Sequence, residues 1–231
     1  MKTTTILTSV ISLLSLPLAS AVTIIVGDDG NQIPAGPTAN LDGAIPMIIV
    51  DYQANLYTNS SGSAEAYSLG NFNFYAQGNG DVTPFVALLT GAGTAVGDYD
   101  ILAIGTTRIG GGTDFTAGGI VNLPFGGSPL ISVPNGATLV GGFQQGTSNG
   151  NVIPFNINSG LSTFITGGGA GTDTSAISVG GDITAGASTW SSLSGGRNYE
   201  FIIEATSVPE PSTTLLIPAA LGGLLMLRRR R

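Results

Sequence analysis

Between residues 22 and 208 short runs alternate apolar and polar side chains, and no stretch carries a convincing 3.6-residue stripe. In Gly70-Asn71-Phe72-Asn73-Phe74-Tyr75-Ala76 the phenylalanines alternate with asparagines, which puts both rings on one face of a strand. The run from Tyr199 to Glu204 alternates likewise. It predicts Tyr199, Phe201 and Ile203 inward, with Glu200 and Glu204 on the solvent face, where carboxylates serve solubility and edge protection. Further strand-like runs cover 22–26, 47–52, 82–89, 99–107, 119–123, 137–144, 152–156 and 162–166, separated by Gly, Asn, Asp and Pro turns. This spacing predicts an all-β domain, a single antiparallel β-sandwich of jelly-roll-like type.

Composition sharpens the picture. All but two of the 36 glycines fall between 22 and 208, well over twice the usual share of about 7%, a density that opposes long helices. Apolar residues are not depleted, so disorder is disfavoured as well. A weak echo of Pro-Phe pairs, at Pro84-Phe85, Pro124-Phe125 and Pro154-Phe155, is too irregular for a solenoid or propeller. With no cysteine, the domain has no disulfide to lean on and must bury a core of its own.

The two ends of the chain read as targeting segments. Lys2, the apolar stretch from Ile6 to Leu18, and Ala19-Ser20-Ala21 make up a secretory signal peptide (1–21) with Val22 as the first mature residue; Ala19 and Ala21 supply the small side chains at the cleavage site. At the other end, residues 211–227 carry no charge, and at about 1.5 Å per residue a helix there would be roughly 25 Å long, a short membrane span. Arg228, Arg229, Arg230 and Arg231 then mark the cytoplasmic side. Pro209 and Pro211 remove backbone donors and hold Glu210 in an extended, accessible spacer ahead of the span.

The run Val208-Pro209-Glu210-Pro211-Ser212, with the apolar segment and terminal arginines after it, resembles the PEP-CTERM sorting signal of exopolysaccharide-producing Gram-negative bacteria. The resemblance covers 209–231, about a tenth of the chain, and leaves the ectodomain, 22–208, without a family. It implies that a membrane-embedded exosortase recognises the signal and cleaves near Pro209, Glu210 and Pro211. The precursor would sit in the inner membrane with its C-terminus cytoplasmic, and the product would reach the cell surface or extracellular matrix.

Of the 7 basic residues only Arg108 and Arg197 fall inside the ectodomain, whereas only Glu210 of the 14 acidic ones falls outside, so residues 22–208 carry a formal charge of −11. Such a surface repels phosphate backbones and excludes nucleic acid as a partner. It attracts divalent cations, or polysaccharide bridged by them. Gly168-Gly169-Ala170-Gly171-Thr172-Asp173 matches the start of a calcium-binding repeat, although Ser175 stands where a large apolar residue belongs. Asp28-Asp29-Gly30-Asn31 and Asp98-Tyr99-Asp100 offer further oxygen ligands. Structural calcium at Asp173, Asp28 and Asp29 is therefore one expectation, set against the ordinary turn-forming role of Asp and Gly. No other cofactor is implied.

Enzyme chemistry finds little material. Gly146-Thr147-Ser148-Asn149-Gly150 fits a nucleophile elbow, but the chain has no histidine and its one lysine, Lys2, is in the signal peptide, so Ser148 has no base. The Gly-rich stretches 110–112 and 167–171 lack the lysine and hydroxyl of a phosphate loop. Carboxylates remain: Glu65, Asp98, Asp100, Asp114, Glu200 and Glu204 are available to a glycoside hydrolase, which needs two of them about 5 to 9.5 Å apart. No constellation is recognisable among them, and the expectation is a noncatalytic, structural surface or matrix protein associated with exopolysaccharide. The alternative is a carbohydrate-binding module, in which Trp190 and exposed tyrosines such as Tyr52, Tyr57 or Tyr75 form a sugar-stacking face.

The sorting assignment makes a direct prediction. Replacing Pro209, Glu210 and Pro211 by alanine leaves export intact but retains the protein in the inner membrane, as read by cell fractionation. Unchanged surface delivery would reject the assignment.

Overall fold

The computed structural model describes residues 21–27, 47–51, 56–90, 99–127, 129–145, 152–157, 163–166, 177, 179–180, 182–183, 190–192 and 197–209. The expected signal peptide up to Ser20, the tail from Glu210, and the candidate residues Asp28, Asp29, Tyr52, Asp98 and Asp173 lie outside them. Ala21 and Pro209 are described and exposed. Among the described residues there is no helix, and none therefore long and apolar enough to cross a membrane. Thr23–Val208 forms a compact unit by itself.

Every strand pairing is antiparallel. In the first sheet β1 (Thr23–Gly27) pairs β15 (Phe201–Ser207), which pairs β4 (Glu65–Ala76). Two short strands share the far side of β4: β7 (Gly119–Pro124) runs along Asn71–Ala76 and β8 (Leu130–Val133) along Glu65–Ser68. The second sheet runs β12 (Asp182–Ile183), β6 (Tyr99–Ile104), β5 (Val82–Leu89), β9 (Thr138–Gln145), β2 (Met47–Asp51), β11 (Thr163–Thr166), β13 (Trp190–Ser192). Beyond β2, the start of β9 pairs the short β3 (Tyr57–Thr58). A separate ribbon joins β10 (Phe155–Ile157) to β14 (Arg197–Tyr199).

Both sheets turn apolar side chains into one shared core. Ile24, Val26, Leu69, Phe72, Phe74, Phe201 and Ile203 come from the first sheet, and Ile49, Val82, Val86, Leu139 and Phe143 from the second. The inward alternation expected at Tyr199, Phe201 and Ile203 is present, and all three are fully buried. Phe72 lies at the centre of the rings, with centroids 5.2 Å from Phe74, 5.5 Å from Phe201 and 6.4 Å from Phe143. These are the offset and tilted separations at which aromatic pairs attract beyond their area.

A single extra residue lets β4 span twelve positions. Ile203 pairs Phe72 but Ala205 pairs Leu69, so two steps on β15 oppose three on β4. The bulge at Gly70 and Asn71 shifts the inward parity from Tyr67 and Leu69 to Phe72 and Phe74, keeping all four in the core. Glu204 faces the bulge from the outer side, where the Asn73 amide donates to its Oε1 (3.0 Å) and the Asn71 amide lies 3.5 Å from its Oε2.

In the second sheet the strands read as continuous apolar runs because the opposite face is buried too. Ile48, Val50, Phe85, Ala87, Tyr99, Ile101 and Val140 cluster there, apart from the shared core. This explains why β5 shows no clean alternation. Gly141 and Gly142 of β9 supply the space between neighbours. A Cβ on Gly142 would lie 2.3 Å from Phe85 Cζ and 2.5 Å from the Ile49 carbonyl oxygen.

Several expectations need correction. Glu200 is fully buried rather than on the solvent face, because the chain bends between β14 and β15 and draws this residue inward. Glu204 keeps the outer face, but β15 lies between β1 and β4, so no edge is there to protect. Tyr75 does point away from Phe72 and Phe74, yet it is only 5% exposed, packed with Ile202 and Ile25. The run 99–107 ends as a strand at Ile104, and Gly105, whose N–H still donates to the Pro84 carbonyl at 2.7 Å, passes too close to Pro84 and the Phe125 carbonyl to carry a side chain. The short strands β3, β8, β12, β13 and β14 were not expected.

Close packing at β9 is testable. Gly142→Ala is expected to cost about 1–3 kcal/mol in urea denaturation, since the neighbours include a backbone oxygen that must shift. Gly119→Ala, where nothing lies within 4 Å, should change stability by no more than about 0.5 kcal/mol. Equal effects at both positions would contradict the packing described.

Candidate functional site

At one end of the sandwich the turn 59–64 is built around a buried amide. Asn59 is fully buried, and each of its polar groups has a partner. Its backbone N–H donates to the Ala137 carbonyl (3.0 Å) and its carbonyl accepts from the Gly136 N–H (2.7 Å). Its Nδ2 donates to the carbonyls of Ser63 and Val133 (2.8 Å each), and its Oδ1 accepts from the Ser61 N–H (3.0 Å). The Gly62 N–H donates to Asn135 Oδ1 at 2.9 Å, tying this turn to the neighbouring turn 134–137. Gly62 and Gly136 have φ of 91° and 79°, the left-handed region where glycine is unstrained.

Beside these turns three side chains from two sheets converge. Tyr57 comes from β3 of the second sheet, Glu65 and Tyr67 from the start of β4 in the first. The Tyr57 hydroxyl donates to Glu65 Oε2 at 2.8 Å, the Tyr67 hydroxyl donates to the same oxygen, and the two phenol oxygens are 2.5 Å apart. The rings meet edge to face, with centroids 5.4 Å apart and planes at 72°. Tyr67 is buried, whereas Tyr57 and Glu65 are half-buried.

This geometry sets the charges. The Tyr67 hydroxyl first, then that of Tyr57, stabilises the Glu65 carboxylate and lowers its pKa below the ordinary 4.5. Burial first, then the bond to Glu65, pushes the Tyr67 phenol upward, and burial does the same for Tyr57. Glu65 is thus an anion and both tyrosines are neutral donors across the neutral range. Domain termini lie close by: Ser207 pairs Tyr67, the Val208 N–H donates to the Ala66 carbonyl (2.8 Å), and Thr23 pairs Thr206.

The opposite end holds a second polar group. Gln145 Oε1 accepts from the Val152 N–H (2.7 Å), the Gln77 N–H donates to the Val152 carbonyl (2.8 Å), and the Glu200 N–H donates to the Pro154 carbonyl (3.1 Å). These bonds hold the segment 152–154 against the sheet ends.

The carboxylates singled out from the sequence are scattered. Glu65 and Glu200 sit at opposite ends of the domain, and Glu204 is on the outer face of the first sheet. Asp100 lies in β6 opposite Asp182, and Asp114 closes its own turn by accepting from the Ile109 N–H at 2.7 Å. Among the described residues no group of three or more acidic side chains is placed to hold a metal ion. Trp190 opens β13 opposite Thr166, and of the three tyrosines proposed for stacking, Tyr57 is half-buried and packs against the shared core. Sequence reasoning missed Asn59 and Tyr67. The turn signal Asn-Ser-Ser-Gly was legible, but the pairing of Tyr57 with Glu65 and Tyr67 needs strands from two different sheets to meet.

No family model and no curated protein matches this chain. Among solved structures it is similar to a clostridial cysteine protease after propeptide cleavage, over 84% of this chain and 42% of that one, at 13% identity and a TM-score of 0.44. It is also similar to a structure of the cysteine protease and lectin-like domains of a surface layer associated protein of Clostridium difficile, over 71% of this chain and 32% of that one, at 12% identity and a TM-score of 0.40. The chain thus spans less than half the length of either structure. At such scores neither bears on what it does.

Glu65 gives a pH prediction. Its folded pKa is depressed below 4.5, so the stability it contributes is present above that pH and is lost as pH falls through the folded value. Urea midpoints of the wild type should therefore approach those of Glu65→Gln as pH drops below 4.5. The raised pKa values of Tyr57 and Tyr67 act in the other direction, with stability lost only as pH rises above 10.0. Parallel wild-type and Glu65→Gln curves through the acid range would show that the carboxylate is not held as described.

Proposed function

We propose that this chain is an exported cell-surface or extracellular-matrix protein, sorted by an exosortase through its C-terminal signal, whose jelly-roll-like sandwich does noncatalytic, structural work in or near exopolysaccharide. The observation that carries the reading is the order of parts at the C-terminus: Pro209-Glu210-Pro211, an uncharged apolar segment, and Arg228–Arg231. The antiparallel register of β1 and β15 supports it. Thr23 and Thr206 are opposite each other, so the chain enters and leaves the domain side by side, on neighbouring strands at one end of the first sheet. A domain tethered in this way can be released by one cut without disturbing its strands.

A noncatalytic role fits the dispersal of the carboxylates, and a glycoside hydrolase is accordingly the weakest reading. The second reading, a carbohydrate-binding module, is favoured by the half-buried Tyr57 whose hydroxyl donates to the charged, half-buried Glu65 carboxylate.

Mass spectrometry of the protein from the cell surface tests the sorting reading. The expected species begins at Val22 and ends near Pro209–Pro211, and it disappears from the surface when the exosortase is deleted. Uncut protein confined to the inner membrane in both strains would sink the proposal.

A further inference from the structure

We propose that the Tyr57–Glu65–Tyr67 cluster, framed by the turns 59–64 and 134–137, is a binding site for an uncharged glycan. This rests on the carbohydrate-binding reading and gives it a place and a ligand class. A sugar hydroxyl both donates and accepts, so it is best met by a fixed acceptor beside fixed donors and other hydroxyls. Glu65 is that acceptor: both tyrosine hydroxyls converge on Oε2, which steadies the carboxylate while the residue stays half-exposed. Ser60, Ser61 and Ser63 of the adjoining turn are exposed, the Ser61 hydroxyl is a further hydrogen-bond partner of the carboxylate, and the hydroxyls of Thr58 and Thr138 lie 3.0 Å apart across β3 and β9.

Charge and order narrow the ligand. Arg108 donates to the Pro124 carbonyl at 2.9 Å, on a different edge, so the described residues bring no cation here to receive an anionic polymer. A divalent cation is disfavoured because the groups aimed at Oε2 are O–H donors rather than lone pairs, and among the described residues no group of three or more acidic side chains is placed to hold one. A neutral polyhydroxyl chain meets neither obstacle. The frame is already set, since Asn59 fixes five hydrogen bonds and Asn135 a sixth, so little ordering is left for binding to supply. The edge-on contact with Tyr67 and packing on the core likewise hold the Tyr57 ring in one orientation.

The compact Thr23–Val208 unit is screened against neutral glucans, mannans and galactans and against uronic-acid polymers, with and without chelator. Affinities for the best oligosaccharide are then measured by calorimetry. Saturable binding of a neutral glycan, unaffected by chelator, is expected. Glu65→Gln should weaken it roughly tenfold or more, the loss of a hydrogen bond to a charged group. Ser60→Arg, a blocking change on the exposed turn, should do the same while leaving the melting temperature unchanged, a readout that a purely structural role for the cluster would not give. If neutral glycan binds and both variants bind like wild type, this site is wrong while the carbohydrate reading stands. Binding only to uronic-acid polymers, or binding abolished by chelator, overturns the ligand class. If nothing binds wild type, the carbohydrate reading falls together with its site.

Discussion

The packing of rings between the two sheets is the constraint on which the domain depends. Without cysteines there is no covalent staple, so the fold rests on burial, and the largest buried side chains are aromatic. Phe72 touches rings from both sheets, Phe74 and Phe201 beside it and Phe143 across the core. Removing such a ring from a core would cost about 3–5 kcal/mol, a large share of what holds a domain of this kind folded.

Backbone devices then make that packing possible. The one-residue bulge in β4 rotates its second half so that Phe72 and Phe74 follow Tyr67 and Leu69 inward. Gly141 admits Phe201, Ile203 and Val26 from the first sheet, while Gly142 on the other face admits the Phe85 ring. Two adjacent glycines thus serve both faces of one central strand. The high glycine content, which at first indicates only turns, includes positions where the core itself leaves no space for a side chain.

Apart from the Asn71, Asn73 and Glu204 group on the outer face of the first sheet, the polar groups described here gather at the ends of the sandwich, where strands stop and backbone groups need partners. Asn59 meets that need at one end, and Gln145 and the 152–154 segment do so at the other. The end that carries Glu65 is also where the chain enters and leaves the domain.

What the sequence by itself determined is local: the strand periodicity, the inward set of Tyr199, Phe201 and Ile203, and the absence of helix among the described residues between 22 and 208. Alternation reveals these because it is a property of neighbouring residues along one strand. It could not reveal that Glu200 is buried, since a bend between β14 and β15 breaks the parity on which the expectation rested. Nor could it find the short strands β3 and β8, whose places beside β9 and β4 are set by partners about 80 and 65 residues away in the chain rather than by their own pattern. The cluster of Tyr57, Glu65 and Tyr67 belongs to the same class. Only the stacking of two sheets brings a residue of one against residues of the other, because the packing of side chains across a core is decided by shape in three dimensions.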